Sequence, residues 1–304
     1  MDRYYRVPDV LRDDIRTLGH YVEQFKAGRF SEAKFRGFRV PMGVYEQREP
    51  GSYMMRIRIP GGGVGPEQLR VVAGLCAKLG ARPHLTTRQD LQIQDVKIDD
   101  IVPTYQELYR AGLTCKGGGG NTVRNITACA EAGICADEIL DTLPCVVALT
   151  EYMIQFPSSF NLPRKFKIAF SGCGKDCALA TVNDLGFLAK EKGGQVGFSV
   201  YAAGGMGAHP RVAEQIESFI TVDEVGYVAE AVKRLFDAHG ERKNKHRARL
   251  RFVMEKLGAA EFKRLYREEL DRVKAEGPIF LDGRDLAGKH PDTPDPADLP
   301  RNGD

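Results

Sequence analysis

The sequence predicts an α+β fold: a small α/β half-domain followed by a larger α/β domain and C-terminal helices. Three observations predict it. Residues 52–113 alternate strand, helix, strand and helix patterns. A glycine-rich joint at 116–121 is followed by strand and helix patterns on a larger scale, and from residue 243 the text becomes two basic helices. With 304 residues, 42% hydrophobic and 28% charged, the chain is long enough for two domains with a core each. The expected divisions are 1–44 (helical or extended), 45–115 (half-domain), 116–242 (larger domain) and 243–304 (helical extension and linker-like tail).

Taken in order, Val10, Leu11, Ile15, Leu18, Val22 and Phe25 have the spacing of one or two amphipathic helices. In SYMMRIRIPGGG, residues 52–63, Tyr53, Met55, Ile57 and Ile59 alternate with Met54, Arg56 and Arg58 as in a half-buried strand, putting the two arginines on one face. PEQLRVVAGLCAKLG has proline in its first turn and ends at Gly80, so it predicts a helix. A strand at 84–96 and a helix from Pro103 complete the half-domain. KGGGGN, 116–121, lacks the ending of a phosphate-binding loop and predicts a hinge or a close backbone approach. Beyond it come strands in TVRNITAC, KFKIAFSGC, DLGFLAK and GQVGFSVYAAG, a helix in ADEILDTLPCVVALTEYMIQF that Pro144 kinks or splits, and helices from about Ala213, Val222 and His246. The final HPDTPDPADLPRNGD has the composition of a disordered tail or linker.

Composition narrows the function. A net charge of +3 from 44 basic and 41 acidic residues argues against a dedicated nucleic-acid binder. No signal-peptide h-region and no apolar stretch long enough for a membrane span stand out, so a cytoplasmic location is expected. Seven cysteines in a reducing compartment point away from a disulfide framework and towards metal or redox chemistry.

Four of the seven form two tight pairs, Cys129 and Cys135 as C-x5-C and Cys173 and Cys177 as C-x3-C. Two close thiolate pairs from separate loops suit an iron–sulfur cubane. Zinc is the rival, and a five-residue gap fits its usual spacing poorly; four merely packed cysteines are the plain alternative. Around them lie Arg58, Arg88, Arg124, Lys165 and Lys167, predicted on four strands. Lys165 and Lys167 share a face by their spacing. Converging on one cleft, such groups would bind a polyanion, guanidinium forks matching carboxylates and oxyanions.

These stretches resemble the nitrite and sulfite reductase family: MRIRIPGG (55–62), LTTRQDLQIQ (85–94), NTVRNITAC (121–129), LPRKFKIAF (162–170) and SGCGKDCALATVNDLGF (171–187), in the family's order. The resemblance implies a ferredoxin-like half-domain, then a domain carrying sirohaem and a [4Fe-4S] cluster, the latter held by Cys129, Cys135, Cys173 and Cys177. Cys177 would bridge cluster and haem iron. It implies that Arg58, Arg124, Lys165 and Lys167 grip sulfite or nitrite and supply protons, and that Arg88 contacts the sirohaem carboxylates, all five bordering the cofactor. The implied partners are the oxyanion substrate and an electron donor such as ferredoxin or a flavoprotein. Family enzymes usually carry two such halves in tandem, and one is present here. A homodimer or a second reductase half is therefore a further implied partner, and a non-catalytic half that assembles with a cluster-bearing subunit is the alternative.

Overall fold

The computed structural model describes residues 5–279 and 281; the linker-like tail lies outside the described residues. Of the described residues, those within 1–125, 150–167 and 239–249 form one compact unit, and those within 126–149, 168–238 and 250–304 form another. The sequence reading cuts the chain into consecutive segments, whereas both compact units are discontinuous.

The first unit opens with α1 (Leu11–Lys26), which buries Leu11, Ile15, Leu18 and Val22 on one stripe. Next is α2 (Glu32–Arg39), whose first turn is capped by the Ser31 hydroxyl accepting from the Lys34 amide at 3.3 Å. The strands are β1 (Val44–Glu46), β2 (Ser52–Ile57), β3 (Pro83–Leu85) and β4 (Leu91–Lys97), all antiparallel in the order β1-β2-β4-β3. Helix α3 (Pro66–Leu79) ends as predicted at Gly80, which takes a left-handed φ of 59°. It packs on β3, β4 and α4 (Ile101–Arg110), while α4 also packs on α1.

Two strand expectations change here. As an interior strand, β2 is buried on both faces except at Arg56, and it ends at Ile57, so Arg58 lies just past it. The segment expected as one strand over 84–96 is a hairpin. Its turn is held by the Thr86 hydroxyl, which accepts from the amides of Arg88 (3.2 Å) and Asp90 (3.0 Å), and Gln89 adopts φ 59°. A threonine that satisfies turn amides competes directly with strand pairing.

The second unit is built on β5 (Ile168–Ser171), β6 (Leu185–Lys192), β7 (Gln195–Ala202) and β8 (Glu214–Thr221), in that order. The β5–β6 pair is parallel and the others are antiparallel. Phe170, Phe187 and Phe198 form its aromatic centre, the first two stacked at 4.4 Å and Phe198 edge-on to both.

The helix expected from Ala213 is instead β8, because pairing with β7 over Gly197–Ala202 outweighs local propensity. TVRNITAC supplies only isolated parallel bridges, Val123 to Phe166 and Thr127 to Ala169. Helix α5 spans Leu143–Met153, with Pro144 in its first turn, where a missing amide costs nothing, rather than at a kink. The C-terminal elements are α6 (Val225–His239), α7 (Leu250–Leu257) and α8 (Ala259–Ala275). Tyr266 and Arg267 tie α8 to Glu217 of β8 at 2.9 Å and 2.7 Å.

Candidate functional site

The basic residues singled out from the sequence all belong to the first unit. None sits inside a strand: Arg58 follows β2, Arg88 is in the β3–β4 turn, Arg124 is on the bridged segment, and Lys165 and Lys167 precede β5. Phe166 between the two lysines is fully buried while they are half-buried, so both point to the same side.

Arg58 is 1% exposed. Its guanidinium donates to three carbonyls: Nε to Lys116 at 3.2 Å, Nη1 to Arg124 at 3.0 Å and Nη2 to Val123 at 2.7 Å. Each nitrogen is therefore engaged with backbone, and burial lowers the guanidinium's affinity for its proton despite nearby Asp90.

The glycine run gives these arginines their acceptors. Arg124 donates to the carbonyls of Gly118 (3.1 Å) and Gly120 (2.9 Å), and Arg56 to Gly118 at 2.9 Å. A β-carbon on Gly119 would collide with the Tyr45 hydroxyl and the Val40 carbonyl, so this loop is a close backbone approach. Asn125 donates to the carbonyls of Ile59 (2.7 Å) and Arg88 (3.0 Å), joining the Arg88 turn to the Arg124 segment. Three buried polar atoms here lack a hydrogen-bond partner among the described residues: Arg124 Nε, Asn125 Oδ1 and Asp90 Oδ1. Donors and acceptors buried without partners are costly in a finished core and ordinary beside a ligand's polar groups.

The four paired cysteines all belong to the second unit. Cys129 and Cys173 are buried, Cys135 is half-buried and Cys177 is exposed. The first loop is closed by the Cys135 amide donating to Glu131 (3.0 Å) and the Ala132 amide donating to Cys129 (3.2 Å). It is joined to the second at Gly172, whose carbonyl accepts from Ile139 (2.8 Å) and Leu140 (3.3 Å).

The second loop is organised by Asp176, at φ 53°. Its carboxylate accepts from the Ser171 hydroxyl (2.7 Å), the Ala180 amide (2.7 Å), and the Thr181 amide (3.1 Å) and hydroxyl (2.6 Å). Burial raises the Cys129 thiol's pKa, and Cys177, Cys173 and Cys135 raise it further, so the other three sulfurs stand within electrostatic reach of Cys129. Ile134, 59% exposed, and Leu179, 60% exposed, leave apolar side chains beside them.

Comparison with known proteins places this geometry. A family model described as the nitrite and sulphite reductase 4Fe-4S domain matches residues 119–274, just over half of the chain. The chain belongs to the nitrite and sulfite reductase family. A second model of that family, the nitrite/sulfite reductase ferredoxin-like half domain, matches residues 45–111. An assimilatory ferredoxin-dependent nitrite reductase of Haloferax mediterranei is 33% identical over 75% of this chain and 42% of its own. The sulfite reductase [ferredoxin] 1 of Mycolicibacterium paratuberculosis is 28% identical over 78% and 46%. The chain thus spans about half the length of the curated relatives it matches. Among solved structures, the Mycobacterium tuberculosis NirA protein matches with a TM-score of 0.76 and 25% identity, over 89% of this chain and 51% of that one. Dissimilatory sulfite reductase I shares the fold alone, with a TM-score of 0.62 at 14% identity.

The family assignment implies sirohaem and a [4Fe-4S] cluster, and the residues present fit both. A cubane takes each thiolate on a different iron, so its ligands stand further apart than those of one ion. Among the described residues no group of three or more His, Cys, Asp or Glu is placed to hold a single metal ion, and the four cysteines nonetheless share one unit and one electrostatic neighbourhood. For sirohaem, a macrocycle edged with carboxylates, the matching features are the guanidinium groups of Arg88 and Arg124, with Arg124 Nε buried and without a hydrogen-bond partner among the described residues. Sequence reasoning passed over Asp176 and Asn125. The signal for Asp176 was an aspartate set between glycine, lysine and cysteine, a residue type that tolerates left-handed backbone and captures nearby amides.

Proposed function

We propose that this chain is a reductase module. With sirohaem and a [4Fe-4S] cluster bound, it passes electrons from an external donor of the ferredoxin or flavoprotein class to sulfite or nitrite, forming sulfide or ammonia. The observation that carries the reading is the gathering of four thiols on two loops that Gly172 and Asp176 tie down in one compact unit. Cys129, Cys135, Cys173 and Cys177 are assigned to the cluster. The bound cofactors supply the electron-transfer chemistry, and the protein supplies charge, protons and placement.

Arg88 and Arg124 are assigned to cofactor carboxylates. Arg124, Lys165 and Lys167 are assigned to the oxyanion, the two ammonium groups holding at Nζ the protons that departing oxygen atoms need. Arg58 acts one step back in this reading. Its fork fixes the backbone of residues 116–124 and so aims Arg124. The half-length match to relatives supports a further reading of assembly, in which the chain works beside a second reductase half or a second copy of itself.

The test is an absorbance spectrum with iron and acid-labile sulfide analysis of the chain co-expressed with sirohaem synthesis. Sirohaem bands with about four iron and about four sulfide beyond the haem iron are expected for one cubane. Colourless, sulfide-free protein would overturn the reductase reading and leave a non-catalytic half that needs a cluster-bearing partner.

A further inference from the structure

A single acidic side chain stands among the arginines, and the anion-binding reading does not use it. Asp90 closes the β3–β4 turn, its amide donating to the Thr86 hydroxyl at 3.0 Å and its carbonyl accepting from the Thr86 amide at 3.0 Å. Asp90 is 6% exposed, and its Oδ1 has no hydrogen-bond partner among the described residues. Charged groups face it from each surrounding segment: Arg58 and Arg56 from the end of β2, Arg88 from its own turn and Arg124 from the bridged segment. Tyr5 and Cys115 complete its surroundings, each with a proton held tightly, chiefly by burial.

We propose that Asp90 couples oxyanion binding to proton uptake: when an oxyanion binds at Arg124, one of the arginines around Asp90, the Asp90 carboxylate takes up one proton from solvent. This rests on the reading above, that Arg124 binds the oxyanion together with Lys165 and Lys167. Burial alone disfavours the carboxylate; what keeps it ionised is the field of the four arginines. Together they leave the group at about 6, raised by burial and lowered by Arg58, Arg56, Arg88 and Arg124. A bound anion cancels part of that field, so the carboxyl's pKa rises and it protonates. The reduction of either oxyanion consumes protons, and one thus arrives with each substrate.

The sign follows by linkage. Anion binding favours the protonated carboxyl, so affinity is highest below the carboxyl's pKa in the nitrite-free loaded chain. It weakens as pH rises through the interval between the unliganded and liganded values, and levels off above it.

The test is calorimetric titration of sodium nitrite into the full chain loaded with sirohaem and cluster. Nitrite keeps a single charge over the range used, and two buffers of different ionisation enthalpy read the protons taken up. Net proton uptake near neutral pH is expected. For a liganded carboxyl one unit higher, Kd should rise by up to about tenfold as pH climbs through the two values. Asp90→Asn should bind nitrite with a pH-independent Kd and lose the uptake, and Asp90→Glu should restore both. Nitrite binding by the unsubstituted chain without uptake, or unchanged uptake in Asp90→Asn, would overturn the role of Asp90 and leave the anion-binding reading standing. A chain that binds no nitrite at any pH would overturn both. Should Asp90→Asn fail to fold, as circular dichroism would reveal, uptake in the unsubstituted chain compared with Asp90→Glu decides.

Discussion

The Asp176 carboxylate accepts two amides and two hydroxyls from Ser171, Ala180 and Thr181, and in doing so shapes the loop that presents Cys173 and Cys177. Hydrogen bonds to a charged group contribute about 1.5–3 kcal/mol each and are not additive, so Asp176→Ala should cost about 2–4 kcal/mol. It should also lower acid-labile sulfide per chain, with Asp176→Asn intermediate because an amide retains one acceptor oxygen. Urea unfolding and sulfide analysis read the two effects. An alanine variant with an unchanged midpoint and full sulfide would remove Asp176 from the site. At this scale the sequence shows which residue types cluster but not which way they face. Arg58 and Arg124 sit in equally suggestive motifs, yet the first is consumed by three carbonyls and the second keeps a partnerless Nε. What separates them is which backbone groups lie nearby after folding.

Among elements, the glycine run shows how a flexible-looking stretch can be the most constrained. Gly118 would place a β-carbon 2.8 Å from the Arg56 carbonyl, and Gly119 would meet both the Val40 carbonyl and the Tyr45 hydroxyl. Backbone cannot move aside cheaply, so Gly119→Ala should destabilise by about 2 kcal/mol or more, the cost of overpacking a fitted site. Gly74, in the exposed middle of α3 with nothing within 4 Å of an added β-carbon, is the control. Gly74→Ala should stabilise by about 0.5–1 kcal/mol through helix propensity. Urea midpoints moving in opposite directions are the expected result; equal small shifts would mean that the loop is loosely held. Elements with strong periodicity and clear stops, such as α1 and α3, were legible in the sequence because local signals suffice for them. The strand β8 and the split at Thr86–Asp90 were not, since one depends on pairing with β7 and the other on a single hydroxyl.

For the whole molecule, motif order was legible, and the two compact units interleave along the chain. The chain leaves the first unit at residue 125 and re-enters it at 150–167 and 239–249, an arrangement that long-range contacts decide. One result of this partition is that the four paired cysteines fall in one unit, and Arg58, Arg88, Arg124, Lys165 and Lys167 in the other. Cluster binding should therefore act locally. Thiolates must lose protons and be held at fixed separations to accept iron, so binding free energy appears as stability of the loops that carry them. Reconstituting the apo chain with iron and sulfide, without sirohaem, should slow amide hydrogen exchange most around 129–140 and 171–181. Exchange in β2 and β4, which pair with each other within the first unit, should stay within about twofold of the apo rates, because opening there is governed by its own contacts. Mass-spectrometric exchange on the two forms makes the comparison peptide by peptide. Equal protection of both units on cluster binding would show that they open together as one cooperative body, and the local assignment of the cluster's stabilising effect would then be wrong.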